Sequence, residues 1–264
     1  MDLKLNNKVA LVTGSTAGIG YAIAETLAAE GAHVIINGRT ESRVEQAIKS
    51  IKEKNPNANV KGLVSDLSNA EGANKIITEL PDLDILVNNM GIFEPKVFEE
   101  IPDEDWFKFF ETNFMSGLRL SRHYLGKMKQ KNSGRIVFIS SESAYQIPEE
   151  MIHYGVTKSA QIALARGMAE TTKGTNITVN TVMPGPTMSE GVGQFVQDLA
   201  VAGKTDAKQV EENFFKEMRP TSLIQRFIDP EEIANFTAYV CSPLAGAING
   251  AALRVEGGLL KSAF

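Results

Sequence analysis

Short apolar runs alternate with longer amphipathic stretches along most of the chain, and this alternation restricts the possible folds most strongly. Such runs are typical of buried strands, and the stretches between them are typical of helices. Strands that alternate with helices predict βαβ units and a parallel sheet covered on both faces. The strands are expected at residues 9–12, 34–36, 60–64, 85–87, 136–139, 177–182 and 251–255, and helices at 19–29, 43–52 and 73–80.

The sequence shows no low-complexity linker and no internal repeat, so residues 1–264 are predicted to form one α/β domain, a three-layer doubly wound parallel sheet. The alternation breaks after Pro184, where helical patterns near 194–200 and 207–218 follow a strand. Long excursions from a compact domain are often lids, and open α/β sheets bind ligands beyond the carboxyl ends of their strands. We therefore expect a helical substrate lid at about residues 186–228.

The composition excludes several classes of protein. A formal net charge of −5 argues against a nucleic-acid partner, which would require a basic face. Cys241 is the only cysteine, so an intrachain disulfide and a cysteine cluster for a metal are excluded, and no metal site is expected. The first residues lack the apolar segment of a signal peptide, and no apolar stretch is long enough to span a membrane. We expect a cytoplasmic protein without membrane contact.

A glycine-rich turn, residues 13–20, directly follows the first predicted strand and opens the first predicted helix. Gly14 permits a tight turn, Gly18 lets the backbone approach a phosphate, and Gly20 allows close packing of helix against strand. The start of the helix offers unpaired N–H groups and a positive dipole end to a pyrophosphate. In this position the turn predicts a dinucleotide site.

The end of the second strand bears on which nicotinamide cofactor binds. Folds that bind NAD tend to end this strand with an acidic residue that accepts hydrogen bonds from the ribose hydroxyls. Here the strand ends at Asn37 and Gly38, and Arg39 follows. The guanidinium group of Arg39 offers a planar pair of donors to a phosphate, which favours NADP(H) over NAD(H). The alternative is that Arg39 is a solvated turn residue.

Tyr154 and Lys158 stand four residues apart, so on a helix they share one face. An ammonium group beside a phenol stabilises the phenolate and is expected to lower the pKa of Tyr154 toward the range of a general acid and base. Tyr145 is a weaker candidate, because its neighbour at the same spacing is Glu149, a carboxylate that would raise its pKa. His153 is expected to be an exposed cap.

Three further motifs follow the glycine-rich turn in a fixed order: Asn88-Asn89-Met90-Gly91, the Ser140-Ser141 pair, and Tyr154 with Lys158. This ordered set resembles the short-chain dehydrogenase/reductase family, in its shorter single-domain branch, and is similar to 3-oxoacyl-(acyl-carrier-protein) reductases. Met90 departs from the alanine that the family has there. The resemblance implies a Rossmann fold and an NADP-dependent oxidoreductase that reduces a carbonyl to an alcohol, or catalyses the reverse reaction.

The resemblance also implies catalytic roles for four residues. Tyr154 would exchange a proton with the substrate oxygen, and Lys158 would lower the pKa of that tyrosine and hold the nicotinamide ribose. Ser141, thirteen residues before Tyr154, would hydrogen-bond the substrate oxygen, whereas Ser140 would be structural. Asn113 would help to hold a water beside Lys158.

The cofactor residues implied in the same way lie at the ends of successive strands. Asp66 would lie beside the adenine, with a helix cap as its alternative role, and Ser15 or Thr16 could add a hydroxyl contact. Thr187 would hold the nicotinamide carboxamide. The full set is Gly14, Ser15, Thr16, Gly18, Ile19, Gly20, Arg39, Asp66, Leu67, Asn89, Gly91, Tyr154, Lys158, Pro184, Gly185 and Thr187.

The expected partner is a small-molecule carbonyl or alcohol. A 3-oxoacyl thioester and a sugar are alternative substrate classes, because members of the family that share these motifs act on both. A non-catalytic protein that senses NADP(H) is the alternative from another functional class. The resemblance further implies a homotetramer or homodimer.

Overall fold

Seven parallel strands form a single sheet in the computed structural model, which describes residues 1–203 and 205–263 except for the side chain of Phe195. The strand order is β3-β2-β1-β4-β5-β6-β7. The predicted three-layer Rossmann fold is therefore confirmed. The strands are β1 (Val9–Val12), β2 (His33–Gly38), β3 (Val60–Val64), β4 (Ile85–Asn88), β5 (Gly134–Ile139), β6 (Ile177–Pro184) and β7 (Ala252–Val255).

Nine α-helices connect the strands or form the lid within the described residues. A π-helical segment, Phe110–Met115, joins the fourth and fifth of them. None of these helices combines the length and the apolar character needed to cross a membrane. They are α1 (Gly18–Ala29), α2 (Glu41–Lys54), α3 (Ala70–Glu79), α4 (Asp103–Phe109), α5 (Ser116–Lys131), α6 (Ile152–Glu170), α7 (Glu190–Ala202), α8 (Ala207–Glu217) and α9 (Pro230–Cys241).

The central strands are buried on both faces, which explains why they read as nearly continuous apolar runs. Alternate residues of β1 point to opposite faces: Ala10 and Val12 enter one core cluster, and Leu11 enters the other. The first cluster includes residues of α1, α2 and α9, and the second includes residues of α3, α5 and α6. The sheet is thus the middle layer between two sets of helices.

The order of the strands reverses between β1 and β4, since β2 and β3 continue on one side and β5 to β7 on the other. The connections after these two strands run to opposite faces of the sheet and leave a cleft beyond its carboxyl edge. All the predicted site motifs except Asn113 and the Tyr154–Lys158 pair directly follow a strand at this edge. The topology therefore gathers motifs that are far apart in sequence.

A helical excursion follows β6 and contains α7 and α8, as the sequence predicts. Its two ends meet, because Met188 donates a backbone hydrogen bond to Ile228 and Ile228 donates one to Pro186, each of 2.9 Å. Inside it, Val196, Phe215 and Phe227 form a small hydrophobic cluster separate from the two main clusters. We refer to residues 187–228 as the lid.

Candidate active site

Gly14 and Gly18 of the glycine-rich turn have φ angles of +59° and +57°, in the left-handed region that glycine adopts without strain. Gly20 is required for another reason. A Cβ atom there would lie 2.4 Å from Nδ2 of Asn89 and 2.6 Å from the carbonyl oxygen of Gly14. The turn therefore curls tightly over the start of α1, which fits the cradle that a dinucleotide pyrophosphate needs at a helix N-terminus.

Hydrogen bonds fasten this turn to the end of β4. The Oγ1 atom of Thr13 accepts from the backbone N–H groups of Asn89 (3.0 Å) and Met90 (3.1 Å). In return, Nδ2 of Asn89 donates to the carbonyl oxygens of Thr13 (3.0 Å) and Gly14 (3.1 Å). The side chain of Asn89 thus holds the glycine-rich turn in its conformation. Met90 packs against the second core cluster, which explains how the larger side chain is accommodated.

The hydroxyl contact expected from Ser15 is not available in this structure. Ser15 is fully buried, its hydroxyl donates to the carbonyl of Val12 (2.7 Å), and it accepts from the backbone N–H of Asn37 (3.0 Å). The hydroxyl therefore joins β1 to β2 and points away from the cleft. Thr16 is half-buried at the same turn and remains the candidate for such a contact.

No carboxylate stands at the end of β2. Asn37 occupies that position and turns inward, where its side chain accepts from Gly14 and donates to the carbonyls of Leu63 and Ser65. Arg39 is exposed and has no ion pair within the described residues. A guanidinium group is thus left free for a phosphate at this edge of the sheet.

The segment after β3 excludes the helix-cap role of Asp66, and its place beside the adenine stays a prediction. The cap of α3 is Asn69, whose side chain accepts from the backbone N–H of Gly72 (2.9 Å). Asp66 instead accepts from the backbone N–H of Ser68 (3.0 Å) and stays half-buried at the strand end. The side chain of Leu67 lies in the second core cluster, so only its backbone could contact a nucleotide.

Asn113 lies in the π-helical segment, a rare geometry that is frequent at functional sites. Its amide group accepts from the backbone N–H of Ile92 (2.8 Å) and donates to the carbonyl of Ile92 and the hydroxyl of Thr157, both at 3.0 Å. The backbone carbonyl of Asn113 accepts a hydrogen bond from the side-chain amide of Gln161. Asn113 therefore fixes the loop after β4 against α6; both N–H groups of its side chain are used, while its side-chain oxygen keeps one lone pair.

Ser141 follows β5, and Tyr154 and Lys158 lie on α6, so both elements present these side chains to one cavity. The hydroxyl of Ser141 accepts from the backbone N–H of Ser143 (3.1 Å), and Ser140 donates to the carbonyl of Lys158 (2.8 Å). Both serines line the cavity, and the hydrogen bond from Ser140 is consistent with a structural role for that residue, while the contact of Ser141 with a substrate oxygen stays a prediction.

The pKa values of the tyrosine and the lysine differ from the expectation. Burial raises the pKa of Tyr154 to about 12, and only a hydrogen bond with Ser141 opposes this. Burial lowers the pKa of Lys158 to about 8. The Nζ atom of Lys158 donates to the carbonyl of Ile139 (2.9 Å) and lies 5.6 Å from the centre of the Tyr154 ring. Desolvation thus outweighs the attraction between ammonium and phenolate that the spacing predicted.

The end of β6 completes the cavity wall. A Cβ atom on Gly185 would lie 2.8 Å from both Cα and the carbonyl oxygen of Glu256, so the loop passes very close to the segment after β7. Thr187 is buried, and its hydroxyl donates to the carbonyl of Gly185 (2.8 Å). The hydroxyl oxygen keeps a lone pair that can accept from an amide.

A cavity of about 1040 Å³ runs from the start of α1, past α6, to the inner face of the lid. This volume and the position next to the glycine-rich turn fit the nicotinamide end of a dinucleotide together with a small substrate. The cofactor residues predicted at the ends of β2 and β3 do not line it, and neither do Asn113 or the residues of the glycine-rich turn other than Ile19. The predicted residues that line it are Ile19, Asn89, Gly91, Ser141, Tyr154, Lys158, Pro184, Gly185 and Thr187.

His153 is not the exposed cap that the sequence suggested. It is fully buried as the second residue of α6, and its ring centre lies 4.0 Å from that of Phe109 and 6.0 Å from that of Trp106. Neither ring nitrogen has a hydrogen-bond partner within the described residues, and burial lowers the pKa of the imidazole. The apolar neighbours of His153 on α4 explain why the side chain turns inward.

Four charged residues in the cavity wall were not identified from the sequence: Glu142, Glu150, Glu217 and Arg219. The guanidinium of Arg219, just after α8, faces the carboxylates of Glu142 and Glu150. Glu142 stands between Ser141 and Ser143, and this position inside the serine motif is the one signal that could have indicated it.

Comparison with known proteins agrees with this geometry. A profile of the short chain dehydrogenase family matches residues 8–200. The chain is 52% identical to YvaG of Bacillus subtilis, an uncharacterised oxidoreductase, with 100% of both chains covered. It is 35% identical to the 3-oxoacyl-(acyl-carrier-protein) reductase FabG of Aquifex aeolicus, with 98% of this chain and 100% of that protein covered.

The fold is also similar to a solved structure. The crystal structure of L-sorbose reductase from Gluconobacter frateurii, complexed with NADPH and L-sorbose, superposes with a TM-score of 0.93 at 33% identity. The superposition covers 99% of this chain and 100% of that chain. Sequence profile, full-length relatives and fold agree, and the chain belongs to the short-chain dehydrogenase/reductase family.

Proposed function

We propose that this protein is an NADP(H)-dependent oxidoreductase that interconverts a carbonyl and an alcohol, with Tyr154 as the acid and base. The observation that carries the proposal is the meeting of Ser141, Tyr154 and Lys158 in one cavity that continues to the glycine-rich turn. The structure of L-sorbose reductase complexed with NADPH supports the choice of cofactor.

The residues that would hold NADP(H) follow from the geometry of the cleft. The backbone of the glycine-rich turn would bind the pyrophosphate, Arg39 the phosphate on the adenosine ribose, and Thr187 the carboxamide of the nicotinamide. Lys158 would bind the nicotinamide ribose, because its Nζ lies close to Gly91 at the end of β4. NADPH, when bound, supplies the hydride for carbonyl reduction.

Tyr154 and Ser141 would act on the substrate oxygen. Because the pKa of Tyr154 is raised to about 12, the phenol is protonated at neutral pH and is ready to donate. Ser141 would donate a hydrogen bond to the same oxygen and stabilise the negative charge that develops there. In reduction the phenol would give up this proton, and alcohol oxidation would require the phenolate. Assembly into a homotetramer or homodimer stays a prediction.

Two measurements test the proposal. Titration with NADPH and with NADH, followed by nicotinamide fluorescence, should show tighter binding of NADPH, and Arg39→Ala should weaken NADPH binding alone. Tyr154→Phe should keep NADPH affinity and lose ketone reduction by at least about a hundredfold. Tyr145→Phe is the matched control, because Tyr145 is 57% exposed and lies outside the cavity wall.

The alternative of a protein that only senses NADP(H) predicts a different result. NADPH would then bind while no carbonyl compound is reduced, and Tyr154→Phe would change nothing measurable. Reduction by Tyr154→Phe at the native rate would refute the assigned mechanism. Equal affinity for NADH and NADPH would refute the role of Arg39.

A further inference from the structure

Next to Ser141, where the lid meets the sheet, the cavity wall holds a cluster of charged side chains that we call the carboxylate cluster: Glu142, Glu150 and Arg219. Glu142 and Arg219 are largely buried, with side chains 6% and 11% exposed, while Glu150 is 31% exposed. Glu142 comes from the segment after β5, next to Ser141, and Arg219 comes from the lid. The cluster therefore exists only where lid and sheet meet.

The single guanidinium group does not satisfy the two carboxylates. The Nε atom of Arg219 lies 3.4 Å from Glu142, and its Nη2 atom lies 3.6 Å from Glu150. Charge-assisted hydrogen bonds between such groups are usually about 2.7–2.9 Å long. Arg219 also donates through Nη1 to the carbonyl of Met218 (2.9 Å) and lies over the ring of Phe214. The carboxylates thus retain capacity to accept hydrogen bonds.

The charge of the cluster constrains what can bind beside it. With both carboxylates ionised the net charge of the cluster is −1, and Glu217 adds a third carboxylate to a wall that otherwise includes Val196 and Phe214. An anionic substrate would be repelled at this short range. A purely apolar substrate would displace water from the carboxylates and leave them with only Arg219 and Ser143 as donors, so that part of their acceptor capacity is unmet, which is costly for buried charged groups.

Glu142 also lies near the reacting atoms. Its charge acts directly on Tyr154, whose pKa it helps to raise, and its neighbour Ser141 faces the same phenol. A substrate whose carbonyl oxygen meets Tyr154 and Ser141 would thus place its adjoining carbon atoms near Glu142. Hydroxyl groups on those carbons are neutral hydrogen-bond donors, and an ionised carboxylate such as Glu142 can only accept.

We propose that Glu142, oriented by Arg219, is a specificity-determining residue that accepts hydrogen bonds from the hydroxyls of a neutral polyhydroxylated carbonyl substrate, a ketose or the corresponding polyol. This inference rests on the proposed function, which fixes where the carbonyl lies. It favours the sugar class over 3-oxoacyl thioesters, because an acyl chain has no hydroxyl donors to offer the cluster.

The test measures kcat/KM with NADPH for three carbonyl compounds of equal carbon number: a ketohexose, an apolar methyl ketone and a keto-sugar acid. The native protein should prefer the ketohexose to each of the others by at least about a hundredfold, as expected where a site is built to bind hydroxyls. A higher kcat/KM for the apolar ketone or the keto acid overturns the inference.

A charge-neutral variant then tests Glu142 itself. Glu142→Gln should lower kcat/KM for the ketohexose by about tenfold or more and raise it for the keto acid, since the net negative charge is gone. Glu149→Gln, at an exposed carboxylate outside the cavity wall, should change neither value. An unchanged ratio between ketohexose and keto acid in Glu142→Gln refutes the role.

The outcomes separate this inference from the proposed function. Reduction of the apolar ketone without preference for the ketohexose leaves the oxidoreductase intact and refutes the role of the carboxylate cluster. Binding of NADPH without reduction of any of the three compounds overturns the proposed function, and the inference with it. If Glu142→Gln does not fold, the ranking of the three substrates by the native protein still tests the role of the carboxylate cluster.

Discussion

Replacing Lys158 by methionine should remove a rise in the free energy of unfolding that the native protein shows above about pH 8. Burial lowers the pKa of Lys158 from its ordinary value of 10.5 to about 8 in the folded protein. Between these two values the unfolded chain carries the extra proton and the folded chain does not. The free energy of unfolding therefore increases with pH in this window.

The size of the effect follows from the shift. Over the whole window it amounts to about 3 kcal/mol, at about 1.4 kcal/mol for each pKa unit. Burial of Cys241 raises the pKa of its thiol from 9.0 to about 12, so the unfolded chain loses that proton first and the sign is opposite. Between about pH 8 and pH 9 the lysine dominates, and a net gain of about 1 kcal/mol is expected.

Urea unfolding at closely spaced pH values, with and without the substitution Lys158→Met, measures this gain. Cys241→Ala is the control that removes the opposing thiol and should make the rise steeper above about pH 9. A flat profile for the native protein between about pH 8 and pH 9 would refute the reasoning, as would the same rise in Lys158→Met. Either result would mean that the ammonium is solvated in the folded state.

Three further substitutions test the contacts that hold the glycine-rich turn and the lid in place. Thr13→Val leaves two backbone donors after β4 without a partner and should lower the free energy of unfolding, measured in urea, by about 2–4 kcal/mol. Thr13→Ser keeps the acceptor oxygen and should be affected less. Phe215→Ala should cost about 3–5 kcal/mol within the lid, seen as faster proteolysis of residues 187–228 with the main thermal transition unchanged. Gly20→Ala should weaken NADPH binding by at least about tenfold in the fluorescence titration, because the added Cβ would lie 2.4 Å from Asn89. Gly126→Ala is the control and should bind NADPH with native affinity, because a Cβ there has no neighbour within 4 Å.

The sheet could be predicted because its strands are apolar on both faces. β1 and β3 have the predicted bounds: the run of β1 is wholly apolar, and β3, an edge strand, has apolar ends on either side of Lys61 and Gly62. β2 extends beyond its apolar run at residues 34–36 and ends at Asn37 and Gly38, as the cofactor motif indicated. Its polar end could not be assigned from hydropathy, because Asn37 is satisfied by Gly14, Leu63 and Ser65, contacts that exist only once three strands have paired.

The site was predictable where residues that act together are close in sequence or follow strands. The four-residue spacing of Tyr154 and Lys158 placed them on one helix face. It could not give the sign of the tyrosine pKa shift, because burial depends on the surrounding fold. Ser15 and His153 were misassigned for the same reason: a local pattern does not show which side of a turn or helix is covered. Arg219 meets Glu142 across 77 residues, and no local pattern shows such a contact.

The separate hydrophobic cluster of the lid has a consequence for how this protein could acquire new specificity. Val196, Phe215 and Phe227 pack among themselves, and the lid is joined to the sheet region through its paired ends and a few ion pairs such as Arg43 with Glu190. Substitutions at these three residues would therefore leave the packing of the two main clusters unchanged, whereas Ile228 at the end of the lid belongs to the first of them. The interior of the lid is thus free to vary, so that substrate choice can diverge while the surroundings of Tyr154 and Lys158 on α6 stay the same.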